Sequence, residues 1–110
     1  MSQIPPEPAD TSLTLGQVQT LIRDRYFATD SARGAEGTFL LFMEEVGELA
    51  TALHETRPDK NPTPEQTANL AEEFADVIAW LATLANIRGV DLTTAWRKYT
   101  EPGRVEGFKD

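Results

Sequence analysis

The sequence predicts an all-α domain, and three observations predict it. Four stretches carry apolar residues at helical spacing, no stretch alternates apolar and polar residues convincingly, and turn signals separate the four. A length of 110 residues suits one compact domain that can build its own core. The expected organisation is a flexible tail over residues 1–13, a four-helix bundle over residues 14–100 and a short polar tail over residues 101–110.

The N-terminal tail is placed by Pro5, Pro6 and Pro8 and by its lack of apolar content. A first helix is expected from Thr14, whose hydroxyl can cap it while Gln17 reaches back, to about Thr29. Its stripe is Leu15, Val18, Leu21, Ile22 and Tyr26. A break containing Ser31, Gly34 and Gly37 leads to a second helix from about Thr38 to Glu55, followed by a polar loop from Arg57 to Pro64. Thr63 then offers a cap, Pro64 stands at the first helical position and Gln66 at the third, so a third helix opens here. It should end at Arg88, with Gly89 free to take the left-handed terminal conformation. Asp91 caps a fourth, shorter helix to about Tyr99, which Pro102 and Gly103 stop.

Composition removes several classes of function. With no Cys there is no disulfide, thiolate metal site or cysteine nucleophile, and His54 alone cannot build a multi-histidine zinc site. Any metal must be held mainly by oxygen. A formal charge of -8 opposes binding to nucleic acid or to an anionic membrane. The apolar stretches fall far short of the roughly 18–20 residues of a membrane span, and no charged n-region precedes an apolar h-region. A cytoplasmic protein without nucleic-acid or membrane partners is therefore expected.

Successive residues on an α-helix advance by about 100°, which places each acid relative to the apolar stripe. In the second helix Phe39, Phe42, Met43, Val46, Leu49, Ala50 and Leu53 form the stripe, and Leu41 and Ala52 widen it. Glu45 falls inside that apolar sector, Glu48 lies at its edge and Glu44 points further toward solvent. In the third helix Leu70, Ala71, Phe74, Val77, Ile78, Leu81, Leu84 and Ala85 face the core, with Trp80 extending the sector. Glu73 falls between Trp80 and Leu84, Asp76 sits at the edge and Glu72 lies farther out. Each helix thus offers an i,i+3 carboxylate pair, and no Lys or Arg lies within a turn of either. Antiparallel packing would converge the four acids on one spot suited to a hard divalent cation such as Mg²⁺ or Mn²⁺. The alternative is that they are ordinary surface acids on amphipathic helices.

The string Glu44-Glu45-Val46-Gly47-Glu48-Leu49, followed by Glu73-Phe74-Ala75-Asp76-Val77, resembles the MazG-type nucleotide pyrophosphohydrolases of the all-α NTP pyrophosphatase superfamily, whose signature is EExxE and then ExxD. The resemblance covers about residues 14 to 100. It implies a Mg²⁺-dependent cut between the α and β phosphates of a nucleoside triphosphate, releasing the monophosphate and pyrophosphate. By matching position Glu45, Glu48, Glu73 and Asp76 would be the metal ligands, and Glu44 would orient or deprotonate the attacking water, although its outward position also suits a solvated role. Family members often draw phosphate contacts from the last helix and its following segment. Here Arg97, Lys98 and Arg104 are the candidates, and Arg97 and Lys98 equally suit the helix dipole. Many members carry an asparagine shortly after that lysine, where this sequence has Tyr99-Thr100-Glu101-Pro102. Lys60 is a further phosphate candidate.

Phe27, Trp80 and Trp96 could stack on a base, and each also suits a core or an interface. His54 reads as a helix-end residue that meets the terminal carbonyls. The third helix is apolar around more than half its circumference, which implies an oligomer, and the family's dimers or tetramers place active sites near subunit contacts. House-cleaning of noncanonical nucleotides is one expected role. The alternatives are a dUTPase-like or phosphoribosyl-ATP pyrophosphohydrolase, or a non-catalytic helical oligomerisation domain. A di-iron carboxylate protein is disfavoured because its Glu-x-x-His pairs are absent, His54 being the only histidine.

Overall fold

Residues 12–104 are described in the computed structural model, so most of the expected N-terminal tail and residues 105–110 lie outside the described residues. The described residues form helices and turns and include no strand, in accord with the all-α class. In order they are α1 (Leu15–Glu55), a 3₁₀ turn (Pro58–Lys60), α2 (Pro64–Arg88), α3 (Leu92–Trp96) and a second 3₁₀ turn (Arg97–Tyr99). No helix among them is long and apolar enough to cross a membrane.

The local signals act as their chemistry dictates. The Thr14 hydroxyl accepts from the Gln17 amide at 3.1 Å while Gln17 Oε1 accepts from the Thr14 amide at 2.7 Å, and Thr63 with Gln66 repeats the arrangement at 3.1 and 2.9 Å. Gly89 ends α2 with φ 67°, and the Asp91 carboxylate accepts from the Thr93 amide to open α3.

Two boundaries differ from expectation. The first two helices run on as α1, and only Gly34, at φ 82° and ψ 170°, leaves helical geometry. Arg33 explains why the break is so narrow, because its guanidinium donates back to Asp30 and forward to Thr38 and ties the turns on both sides together. Gly37 stays helical beneath it and leaves room for that side chain, since a Cβ there would stand 3.1 Å from Arg33 Cγ. The fourth helix contracts to the five residues of α3 and tightens into the 3₁₀ turn over Arg97–Tyr99.

The second arm of α1 runs antiparallel to α2, while the first arm crosses the C-terminal half of α2. At one end Asn86 Nδ2 donates to the Gln19 carbonyl at 3.1 Å and Gln19 Nε2 donates to the Val90 carbonyl at 2.7 Å. Further along, the Thr83 hydroxyl donates to Asp30 at 3.0 Å, and beyond the kink Glu45 meets Glu73 and Asp76. The core differs sharply from the expected stripes. Its buried apolar residues are Ala52, Ala82 and Ala85, whereas Phe39, Met43, Leu53, Phe74, Ile78 and Leu81 remain 46–50% exposed. One helix covers only one flank of another, so two wide stripes facing each other leave their outer flanks uncovered.

Candidate metal centre

Glu45 and Glu48 lie one turn apart on the second arm of α1, and Glu73 and Asp76 one turn apart on α2. Antiparallel packing brings Glu45, Glu73 and Asp76 together, each offering an oxygen within 4.8 Å of the other two. Glu48, exposed one turn from Glu45, stands outside that trio but close enough for its charge to act on both Glu45 and Glu73. Glu45 Oε2 and Glu73 Oε2 are buried without a hydrogen-bond partner. The ion pairs among the described residues lie elsewhere: Arg33 with Asp30, Arg57 with Asp59 and Arg104 with Glu101.

This environment penalises negative charge. Desolvation, then the Glu48 charge, then the nearby Asp76 and Glu73 hold the Glu45 carboxyl above its ordinary range. Desolvation, followed by Glu48 and Asp76, does the same to Glu73. Two orphaned oxygens in an all-oxygen donor set with no protein cation fit a hard divalent ion, which would satisfy them and reverse the electrostatic sign.

The cluster lies between two cavities. An open groove of about 490 Å³ is bordered by Glu44, Gly47, Glu48, Thr51, Asn69 and Glu73. Glu44 is exposed on its wall, as its outward position on the helix requires. A second cavity of about 340 Å³ begins at Asp76 and is bordered by Tyr26, Asp30, Arg33, Trp80 and Thr83.

The other expected site residues stand apart from the acids within one chain. Arg97, Lys98 and Arg104 follow α3, and neither cavity includes them. At a rise of about 1.5 Å per residue, the Gly89 end of α2 lies about 20 Å beyond Asp76. Arg104 pairs with Glu101 at 3.0 Å, and Lys98 Nζ sits 5.3 Å from the centre of the Tyr99 ring. Trp96 is exposed and packs on Tyr99 with ring centres 5.0 Å apart. Phe27 borders a third cavity with Gln19 and Val90, which leaves Trp80 as the one expected stacking residue beside the acids. His54 does not turn its ring to the helix-end carbonyls. Lys60 Nζ approaches Nε2 at 2.9 Å and Arg57 approaches Nδ1 at 3.4 Å, drawing Lys60 into the loop. Sequence reasoning missed Asp30, Arg33, Thr38 and Thr83. An acid and an arginine at i,i+3 beside the glycines, and a threonine on the apolar face of α2, were the available signals.

An all-helical chain whose antiparallel helices bring carboxylates together, with no Lys or Arg paired to them among the described residues, is the class that the fold and this cluster define. Residues 33–101 match the model of the MazG nucleotide pyrophosphohydrolase domain, and the chain belongs to that family. The match contains all four acids. Family members are generally dependent on a divalent metal. No curated protein matches the chain.

Proposed function

We propose that this chain is a Mg²⁺-dependent nucleoside triphosphate pyrophosphohydrolase, with Mn²⁺ as the alternative ion, that cuts between the α and β phosphates of ribo- or deoxyribonucleotides. The observation that carries this reading is the pair of buried, unpartnered oxygens on Glu45 and Glu73 in a chain of this family. Glu45, Glu48, Glu73 and Asp76 hold the ion from two helices. Bound there, it supplies charge stabilisation to the phosphate oxygens and to the leaving pyrophosphate. Glu44, exposed on the groove wall, orients the attacking water and accepts its proton. The groove beside Glu73 takes the phosphates, and Trp80 beside Asp76 stacks on the base.

A homodimer or homotetramer completes the site. The exposed faces of Phe74, Ile78 and Leu81 on α2 and of Phe39, Met43 and Leu53 on α1 support this, because contiguous apolar surface of this kind is characteristic of an interface. Arg97, Lys98 and Arg104, distant from the acids in their own chain, then reach the phosphates of a neighbouring copy. A cytoplasmic role in clearing noncanonical nucleotides fits the strongly acidic chain, whose charge of -8 disfavours nucleic-acid and membrane partners. The same apolar faces also suit a non-catalytic oligomerisation domain.

The test is release of pyrophosphate and monophosphate from standard and modified nucleoside triphosphates in Mg²⁺, Mn²⁺ or EDTA, for the parent chain and Glu73→Gln. Metal-dependent release that disappears in the variant is expected. No turnover, together with no thermal stabilisation by either ion, would overturn the enzymatic reading in favour of the oligomerisation domain.

A further inference from the structure

Three of the polar residues bordering the second cavity, Asp30, Arg33 and Thr83, are joined by hydrogen bonds. Asp30 is only 4% exposed, and both its oxygens are engaged, one by the Arg33 guanidinium and the other by the Thr83 hydroxyl on α2. Arg33 Nε donates to the fully buried Thr38 hydroxyl at 2.9 Å, across the Gly34 kink. The same guanidinium lies over Trp80, its Cζ 5.0 Å from the ring centre. One side chain thus fastens both arms of α1 to one indole on α2. Trp80 stands one helical turn from Asp76, so a ligand held by its phosphates at the acids and extending along α2 meets that indole next. The cavity volume of about 340 Å³ and its Ile22, Tyr26 and Ala79 walls suit a planar heteroaromatic ring.

We propose that Arg33 is a positioning residue for base selection: held by Asp30 and Thr38 on opposite sides of the kink, it sets the Trp80 indole as a fixed wall of the cavity beside Asp76. The inference rests on the nucleotide pyrophosphohydrolase reading above. It assigns Arg33 no contact with the reacting atoms. A fixed wall is met by the ground state and the transition state alike, so its loss acts on KM and on discrimination between bases and leaves kcat nearly unchanged. Lysine at this position keeps the charge but lacks the fork that reaches Asp30 and Thr38 together and the flat face that covers an indole.

The chain has two tryptophans, so a Trp96→Phe background, excited where tyrosine does not absorb, makes Trp80 the only emitter. In that background Arg33→Lys and Asp30→Asn are compared with the parent by acrylamide quenching, by turnover across a panel of nucleoside triphosphates, and by titration with non-hydrolysable α,β-methylene triphosphates in Mg²⁺. The expected result is quenching of Trp80 raised about twofold or more, KM for the preferred nucleotide raised about tenfold, kcat within about threefold, a narrowed spread of kcat/KM across bases, and undiminished stabilisation by Mg²⁺. Unchanged quenching with an unchanged spread overturns the inference. So does a joint fall of kcat, KM-dependent selectivity and ion stabilisation, the mark of a brace that serves folding alone. The two readings separate cleanly. Analogue binding whose base preference depends on Arg33, in a parent that releases no pyrophosphate, sinks the enzymatic reading and keeps the inference. Turnover whose base preference ignores Arg33 does the reverse, and failure of the parent to bind any analogue ends both.

Discussion

Gly47 offers a test in which stability and activity move in opposite directions. It lies in the interior of α1 between Glu44 and Glu48, and a Cβ built on it meets nothing within 4 Å. No turn, close approach or positive φ requires glycine there. A glycine inside a helix is less favourable than alanine by about 0.5–1 kcal/mol, so Gly47→Ala is expected to stabilise the chain by about that amount. For a domain of this size the melting temperature rises by about 2–8 °C. The added methyl also projects into the groove shared by Glu44, Glu48 and Glu73. Where a triphosphate must approach the helix backbone, loss of that space is expected to lower kcat/KM about tenfold, equivalent to about 1.4 kcal/mol of transition-state stabilisation. Circular-dichroism melts in EDTA and pyrophosphate release in Mg²⁺ read the two effects separately. A variant both more stable and fully active would show that phosphates do not lie against this stretch of α1. A variant less stable than its parent would show that the fold itself needs the glycine.

Three further outcomes follow from the same geometry. Glu45→Gln and Glu73→Gln are expected to lower turnover by at least about 100-fold, to keep the helical circular dichroism and to lose the rise in melting temperature that Mg²⁺ gives the parent; a variant that retains the ion effect would remove that acid from the site. In EDTA, because Glu45 and Glu73 are held above the ordinary 4.5, the folded state binds more protons than the unfolded one, so stability falls as pH rises from 4.5 through the raised values and then levels off. A melting temperature that rises across that window would contradict the desolvated cluster. Phe74→Glu or Ile78→Glu, on the exposed flank of α2, is expected to reduce the light-scattering mass to that of one chain, and an unchanged mass would place the subunit contact elsewhere.

What the sequence made legible, and what it did not, divides by the range of the interaction. The limits of α2 follow from Thr63, Pro64, Gln66 and Gly89, whose effects are complete within one turn. The acid cluster is legible for a related reason: the wheel places Glu45 and Glu73 inside apolar sectors, and two such helices packed together must bring them face to face. Gly34 is different. A glycine in a helical pattern permits a wide break or a local kink, and what narrows it here is Arg33, anchored through Asp30 to Thr83 on another helix. The outer flanks of α1 and α2 show another limit. Phe74 and Ile78 lie on the apolar arc, but a wheel gives the direction of a side chain and not whether its own chain or a second copy covers it. Arg97 and Lys98 were tied to the acids only by resemblance, and the length of α2 keeps them apart within the chain.

Asp30 and the acid cluster solve the same physical problem in different ways. Asp30 is buried and every oxygen is engaged, with an arginine one turn away and a hydroxyl across the helix pair. The chain therefore has the means to satisfy a buried acid, yet Glu45 and Glu73 retain buried oxygens with no partner. If that deficit is a missing cation, one supplied covalently should relieve it. Glu48 lies close enough to both glutamates for its charge to act on them, so Glu48→Lys would bring an ammonium group beside them and remove one of the like charges. The metal-free variant is expected to melt higher than the metal-free parent, and added Mg²⁺ to give it no further rise, because the protein cation then occupies the place of the ion. Thermal melts of both chains in EDTA and in Mg²⁺ decide the matter. If Glu48→Lys lowers the metal-free melting temperature while remaining helical, the acids are not short of a cation, and the argument for a metal centre at this spot fails with them.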